Sequence, residues 1–438
     1  MQILNWQDTN YSSRIDQILT KSRVQDLEIS EAVTAIINEV VKSKNKGLIK
    51  FTSKFDKINI KPDSLLFSEN EINRAIDQIS IDQRKAVDLA VKRIKDFHKM
   101  QLPEDRSWID GHGIEMGWRW KPIERVGIYV PGGTASYPSS VLMNAIPASI
   151  AGTKEIIMAS PIPNGRINPL VLYAARVSGV HQIYKIGGAQ AVAALAYGTE
   201  TIDPVHKIVG PGNAFVAEAK RQVFGQVGID MVAGPSEVVI IADGENNAEW
   251  IAADLLSQAE HDVSAQSILI TTSEDLAREV SKVLDAMLLK LDRKKIASES
   301  WNKNGAIIVV PNLDSAITLS NQFAPEHLQV CLESPEKILN KINNAGSIFL
   351  GAWTPEAMGD YIIGINHVLP TGQSARYSSG LSVLDFMKRS FISKVPKNSV
   401  ATIVESAMTL AKAEGLGAHE LALTLRNNEL LKIDRDDQ

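Results

Sequence analysis

The chain has 438 residues, with 46 Lys plus Arg against 51 Asp plus Glu and a formal net charge of −5. Hydrophobic residues are 44% and charged residues 22%, the balance of a globular chain that buries a core without covalent staples. The single cysteine, Cys331, excludes intrachain disulfides, multi-cysteine zinc sites and iron–sulfur clusters, so a metal must use histidine, carboxylate or amide ligands.

A mildly acidic chain lacks the basic footprint of a nucleic-acid binder, and the short run Arg293, Lys294, Lys295 reads as a solvated helix end. The first residues, MQILNWQDTNYSSRIDQ, lack the basic-then-apolar pattern of a secretory signal. The apolar stretches, such as 191–197, are too short for a membrane span. A cytoplasmic location with no membrane or nucleic-acid partner is the expectation.

Residues 1–110 read as polar and helical. Val33, Ile36, Ile37, Val40 and Val41 fall at helical spacing within 31–56, and Ile72, Ile76, Ile79, Ala86, Leu89, Ala90 and Ile94 within 70–100. No motif there carries chemistry, so the segment reads as packing and interface.

From residue 124 short β-branched runs alternate with helical runs. The first series of strands is VGIYV (126–130), EIIMA (155–159), QIYKI (182–186) and KIV (207–209). The second is EVVIIAD (237–243), QSILITT (266–272), AIIVV (306–310), LQVCL (328–332) and SIFLG (347–351). Helical patterns separate them, as in 189–197, 214–224, 248–261 and 274–291. Such alternation predicts an α/β fold of two Rossmann-like, doubly wound parallel-sheet modules. Small helical segments are expected at the N- and C-termini, the latter over 400–413 and 419–431.

Glycines follow the strands of the first series at PGG (131–133), GGAQ (187–190) and GPGN (210–213). Glycine there permits tight turns and close approach of backbone amides to an anion. No GxGxxG fingerprint is present, so the turns fit either a dinucleotide crevice or plain strand-to-helix connections.

Polar clusters concentrate in the second half. In SQAEHD, Gln258 and His261 are three apart on a predicted helix, which suits either a metal or a solvated helix end. In APEHL, Glu326 and His327 stand side by side before an apolar strand, as two bases or as a helix start after Pro325. Asp360 and His367 lie in a loop-rich stretch, and Glu414 and His419 flank two glycines. His98, His112, His181 and His206 have no such context and read as surface or satisfied core histidines.

Taken in order, these segments resemble the histidinol dehydrogenase family. The resemblance is carried by VGIYVPGG (126–133), YPSSVLMNAIPA (137–148), GGAQAVAALAYGT (187–199), VGPGNAFV (209–216), AGPSEV (233–238), LLSQAEHD (255–262), FAPEHLQ (323–329) and NAGSIFLG (344–351). It continues through TPEAMGDYIIGINHVLPTGQSARYSSGLSV (354–383) and AEGLGAHE (413–420). It implies a zinc- and NAD-dependent homodimer that oxidises L-histidinol, via the aldehyde, to L-histidine, the last step of histidine biosynthesis.

Carried over, the resemblance implies one Zn2+ per active site, held by Gln258, His261, Asp360 and His419. Those four also count among the substrate-contacting positions, together with Ser236, His327, His367 and Glu414. His327 is implied as the base for the alcohol proton and Glu326 as the residue that activates water. Tyr129, Gln190 and Asn213 match NAD-contacting positions. The implied organisation is an N-terminal segment 1–23, a larger module of 24–129 and 237–381, an inserted NAD-associated module 130–236, and a C-terminal dimerisation arm 382–438. That arm brings Glu414 and His419 to the partner's site.

Aldehyde oxidation commonly uses a cysteine nucleophile, but Cys331 sits in a strand pattern without a basic neighbour and reads as packing. Water attack promoted by Glu326 is the expectation. A metal hydrolase using Glu326 and His327, or a non-catalytic ligand-binding protein, are the competing classes.

Overall fold

The computed structural model describes residues 3–20, 27–132 and 137–436, the last six of them by backbone alone. The expected boundary at 23/24 and Gly133 of the first glycine turn lie outside the described residues. The chain divides into two units, the described residues of Met1–Leu102 with Ile123–Phe386, and of Pro103–Pro122 with Met387–Gln438.

The first unit holds both parallel sheets. The six-stranded sheet runs Ile3–Asn5, Ala306–Val309, Gln266–Thr271, Glu237–Ala242, His327–Cys331, Ser347–Leu350. Every residue of Glu237–Ala242 is buried. A strand that is apolar on both faces instead of alternating needs helices on both sides, and two core clusters flank this sheet. The five-stranded sheet runs Gln182–Tyr184, Glu155–Ala159, Arg125–Tyr129, Lys207–Val209, Gly228–Ile229, again all parallel. The two-module α/β expectation therefore holds.

The first 130 residues are distributed differently from the expected modules. Arg125–Tyr129, grouped above with 237–381, sits in the middle of the five-stranded sheet, between strands that follow it in sequence. The helices Leu27–Ser43 and Asn45–Asp56 share that sheet's core, with Val33, Ile36, Ile37, Val40 and Leu48 packed among Tyr129, Ala191, Leu195 and Val216. Each such aliphatic side chain contributes roughly 1.5–3 kcal/mol on burial, so packing ties these helices to the inserted module. Ile3–Asn5 adds an edge strand to the other sheet.

The second unit contains an antiparallel sheet that the sequence reading missed. Met387–Lys394 pairs along its whole length with Glu115–Pro122, which also pairs with Arg106–Ile109. All four residues of Arg106–Ile109 are exposed, and so are nearly all of Met387–Lys394, so no apolar run or alternation marks them. Arg389 instead lies over the rings of Trp118, Trp120 and Phe391 at 5.7, 5.4 and 5.1 Å. The helices Val404–Ala413 and Gly417–Asp436 follow, separated at Gly415, whose φ of +71° is a left-handed conformation that favours glycine. Among the described residues no helix is long and apolar enough to cross a membrane.

Candidate active site

Two adjacent strands set the centre of the site. Glu237–Ala242 and His327–Cys331 pair in parallel with His327 opposite Val238. This register turns the backbone of Glu237 toward Glu326 and His327, at the amino ends of both strands. The Glu237 N–H donates to Glu326 Oε2 at 2.9 Å, and its carbonyl accepts from His327 Nδ1 at 3.1 Å. A carbonyl only accepts, so the neutral ring carries its proton on Nδ1 and leaves Nε2 as a lone pair. That Nε2 is buried and has no hydrogen-bond partner among the described residues.

Burial governs the charge states here. It raises the Glu326 carboxyl well above the ordinary value, against a partial offset from the Glu237 N–H and the Ser236 hydroxyl. It pushes His327 down to about 4, so the ring is neutral near pH 7. The helix-start alternative for Glu326 does not apply. The helix Leu313–Phe323 ends at Ala324, in left-handed conformation, and Glu326 immediately precedes a strand.

A short helix, Glu356–Tyr361, supplies two further acids. Glu356 Oε1 stands 3.5 Å from His327 Nδ1, and its Oε2 is buried without a partner among the described residues. Asp360 lies one turn further, on this helix and not on the loop expected. One atom each of His327, Glu356 and Asp360 fall within 4.8 Å of one another, a grouping able to hold a cation. Glu356 escaped the sequence reading, although its i, i+4 spacing from Asp360 was a usable signal. Glu237 escaped it as the lone charge heading an apolar strand.

Gln258 is fully buried, and its Nε2 meets His261 Nδ1 at 3.3 Å. The helix Ala248–Ala259 stops short of His261, which continues the turn by donating its N–H to the Gln258 carbonyl at 3.2 Å. The expected pairing thus forms just past the helix end. Gln258 Oε1 is buried with no partner among the described residues, as an amide oxygen awaiting a ligand would be. His261 is near enough to push both His327 and His367 downward electrostatically. His367 Nδ1 lies 3.1 Å from the Asp360 carbonyl, and Nε2 lies 3.5 Å from Ser140 Oγ. Ser236, Gln258, His261, Glu326, His327, Asp360 and His367 all belong to the first unit. Glu414 and His419 belong to the second and are exposed there.

The glycine turns stand at the carboxyl ends of the five-stranded sheet. Tyr129 ends a central strand, and its hydroxyl accepts the Gly188 N–H at 3.0 Å. Burial raises this phenol to about 12 and keeps it neutral. Gln190 is 1% exposed, and neither its amide oxygen nor its nitrogen has a partner among the described residues. Gly210 has φ +113°, and a Cβ there would stand 2.1 Å from the Tyr129 carbonyl oxygen, so only glycine fits. A buried ion pair, Lys220 with Asp230, fixes this turn from below through Gly210 O and N at 2.8 Å each. Asn213 is exposed and caps the helix Ala214–Val223 by accepting the Val216 N–H at 3.2 Å.

Cys331 is fully buried, and burial pushes its thiol up to about 12, which removes it as a nucleophile at neutral pH. The other four histidines read as expected. His98 is buried and bonded, His181 Nδ1 accepts the Ile156 N–H at 3.0 Å, and His112 and His206 are exposed.

Comparison with known proteins matches nearly the whole chain. A family model described as histidinol dehydrogenase matches residues 19–427. The chain is 50% identical over 429 residues to a histidinol dehydrogenase of Ruegeria pomeroyi, covering 98% of this chain and 99% of that one. It is 53% identical to one of Rhodopseudomonas palustris, covering 96% and 97%. A solved histidinol dehydrogenase of Elizabethkingia anophelis superimposes with a TM-score of 0.93 at 39% identity, covering 98% of each chain. The chain therefore belongs to the histidinol dehydrogenase family, oxidoreductases of histidine biosynthesis.

Proposed function

We propose that the chain oxidises L-histidinol to L-histidine with NAD and zinc, with His327 as the base in both oxidations and Glu326 needed only for the second, where it activates water. The observation that carries this reading is the double hold of the Glu237 backbone on Glu326 Oε2 and His327 Nδ1, which leaves a buried, unpartnered Nε2. Such a buried lone pair, not engaged by any described residue, is suited to act as a base.

The donor set fits a zinc ion. In this reading the orphaned Gln258 Oε1, its neighbour His261 and Asp360 would supply oxygen and nitrogen ligands, and the exposed His419 of a partner's arm would be the fourth. The orphaned Gln190 amide and the glycine turn beside Tyr129 fit the cofactor. When bound, zinc supplies a fixed point for the substrate's nitrogens and NAD supplies the hydride acceptor.

The residues then act as follows. His367 and Ser236 line the substrate, and the partner's exposed Glu414 completes its contacts. His327 Nε2 takes the hydroxyl proton as the alcohol carbon gives up hydride. Glu326, as carboxylate, takes a proton from water as that water adds to the aldehyde. The hydrated aldehyde carries a hydroxyl again, and His327 serves a second time. Atoms balance as alcohol plus water to acid, with a hydride and a proton leaving at each oxidation. A cytoplasmic location fits this reading.

The test is NADH formation from histidinol and NAD, abolished by a chelator and restored by zinc. Metal-replete, folded protein without turnover would refute it. The shared site has its own test. Mixing His419→Ala with His261→Ala protein should recover activity once subunits exchange, and inactivity of proven heterodimers would refute it.

A further inference from the structure

The helix Ile81–Lys99 lies in the region where the sequence offered no chemistry, yet it grips the segment that joins Asp360 to His367. Arg93 donates from Nε to the Ile362 carbonyl at 2.6 Å and from Nη2 to the Ile363 carbonyl at 3.2 Å. Those carbonyls follow the short helix bearing Asp360, where a helix end leaves acceptors unpaired. Gly364 comes next at φ +109°, and a Cβ there would stand 2.7 Å from the Arg93 carbonyl oxygen, so backbone lies directly against backbone.

Further along the helix, His98 is fully buried. Its Nδ1 lies 2.9 Å from the Ile94 carbonyl, which fixes the proton on Nδ1 and makes Nε2 an acceptor. Asn366 Nδ2 stands 3.2 Å from that Nε2 and also donates to the Met143 carbonyl at 2.7 Å, while Asn366 Oδ1 accepts the Val368 N–H at 2.9 Å. One amide thus ties the peptide on both sides of His367 to two helices. Burial lowers the His98 pKa and keeps the ring in the neutral form this pattern requires.

We propose that Arg93, His98 and Asn366 form a positioning clamp that sets the placement of Asp360 and His367, and through it the affinity for metal and for histidinol but not for NAD. The proposal rests on the reading of Asp360 as a metal ligand and His367 as a substrate contact. A purely structural role would instead act on stability alone or on both substrates equally.

The experiment compares His98→Phe, which fills the space and loses both bonds, with His98→Gln, whose side-chain oxygen can again accept from Asn366. His98→Phe should raise KM for histidinol about tenfold and speed zinc loss to a chelator about tenfold, with KM for NAD within about twofold. His98→Gln should recover both to within about threefold. If His98→Phe does not fold, Arg93→Gln, at an exposed side chain, should give the same pattern at about threefold. Equal changes in the KM of both substrates, or a lowered Tm with unchanged zinc retention and unchanged KM, would overturn the clamp. Asp360→Asn and His367→Ala separate the two layers. If they leave zinc retention and histidinol KM unaltered, the underlying reading falls and the clamp with it. If they alter them while the clamp variants do not, the clamp alone falls.

Discussion

The two ends of the first unit solve different problems. At the amino ends of the six-stranded sheet, the chemistry is held by buried side chains whose charge states burial has shifted. Glu326 is pushed up, His327 is pushed down to about 4, and unpartnered polar atoms on Gln258, His327 and Glu356 face inward. At the carboxyl ends of the five-stranded sheet, the work falls to backbone turns around Tyr129, and Gln190 is the one proposed contact with orphaned amide atoms. A site for bond-making needs fixed charges in a dry place, and such side chains cannot be exchanged freely. A site that receives a cofactor needs close backbone approach, which glycine at 188 and 210 provides. That difference explains why the first end is marked by residue types and the second by spacing alone.

The sharpest way to break this contrast is His327→Asn. It should cut turnover of histidinol by roughly a hundredfold to ten-thousandfold while KM for NAD moves little, as steady-state NADH absorbance would show. Glu326→Gln should cut oxidation of supplied aldehyde by a similar factor and spare the alcohol step to within about tenfold. Gln258→Ala removes the orphaned amide. We expect its zinc content after dialysis to fall about tenfold or more, measured by metal analysis, with the far-UV spectrum unchanged.

The pH dependence sharpens the division of labour. His327 works only when neutral, and its pKa is pushed down to about 4, so its contribution is lost only as pH falls through about 4. Glu326 works only when ionised, and its pKa is raised well above the ordinary carboxylate value, so its contribution is lost at higher pH on the way down. The acid limb for aldehyde oxidation should therefore lie above the acid limb for alcohol oxidation, and coincident limbs would contradict the assignment. The smallest effect is expected at the other end. Gln190→Ala should raise KM for NAD a fewfold, about two- to tenfold, with kcat nearly unchanged in the same assay.

Much of this was legible in the sequence, and the failures have physical causes. Runs such as EVVIIA reveal themselves because both faces are buried and nearly every residue is apolar. Arg106–Ile109 and Met387–Lys394 are invisible because their faces are open to solvent and held by an Arg389 stack and ladder bonds. The grouping of 24–129 depended on which sheet buries Val33, Ile36 and Leu48, a long-range choice that helical periodicity does not encode. Glu326 and His327 announce themselves as neighbours, whereas Glu237 acts through its backbone, and backbone roles leave no residue signature. His98 reads as a satisfied core histidine and is one, but its partner Asn366 adjoins His367, and only the fold shows that.

The central claim is that His327 serves both oxidations whereas Glu326 serves only the second. The most direct measurement is the amount of NADH formed per histidinol consumed, in the wild type and in Glu326→Gln. The account predicts about two in the wild type and close to one in the variant, with aldehyde accumulating. A ratio of about two in a slower variant would contradict it, because both oxidations would then depend on Glu326 alike.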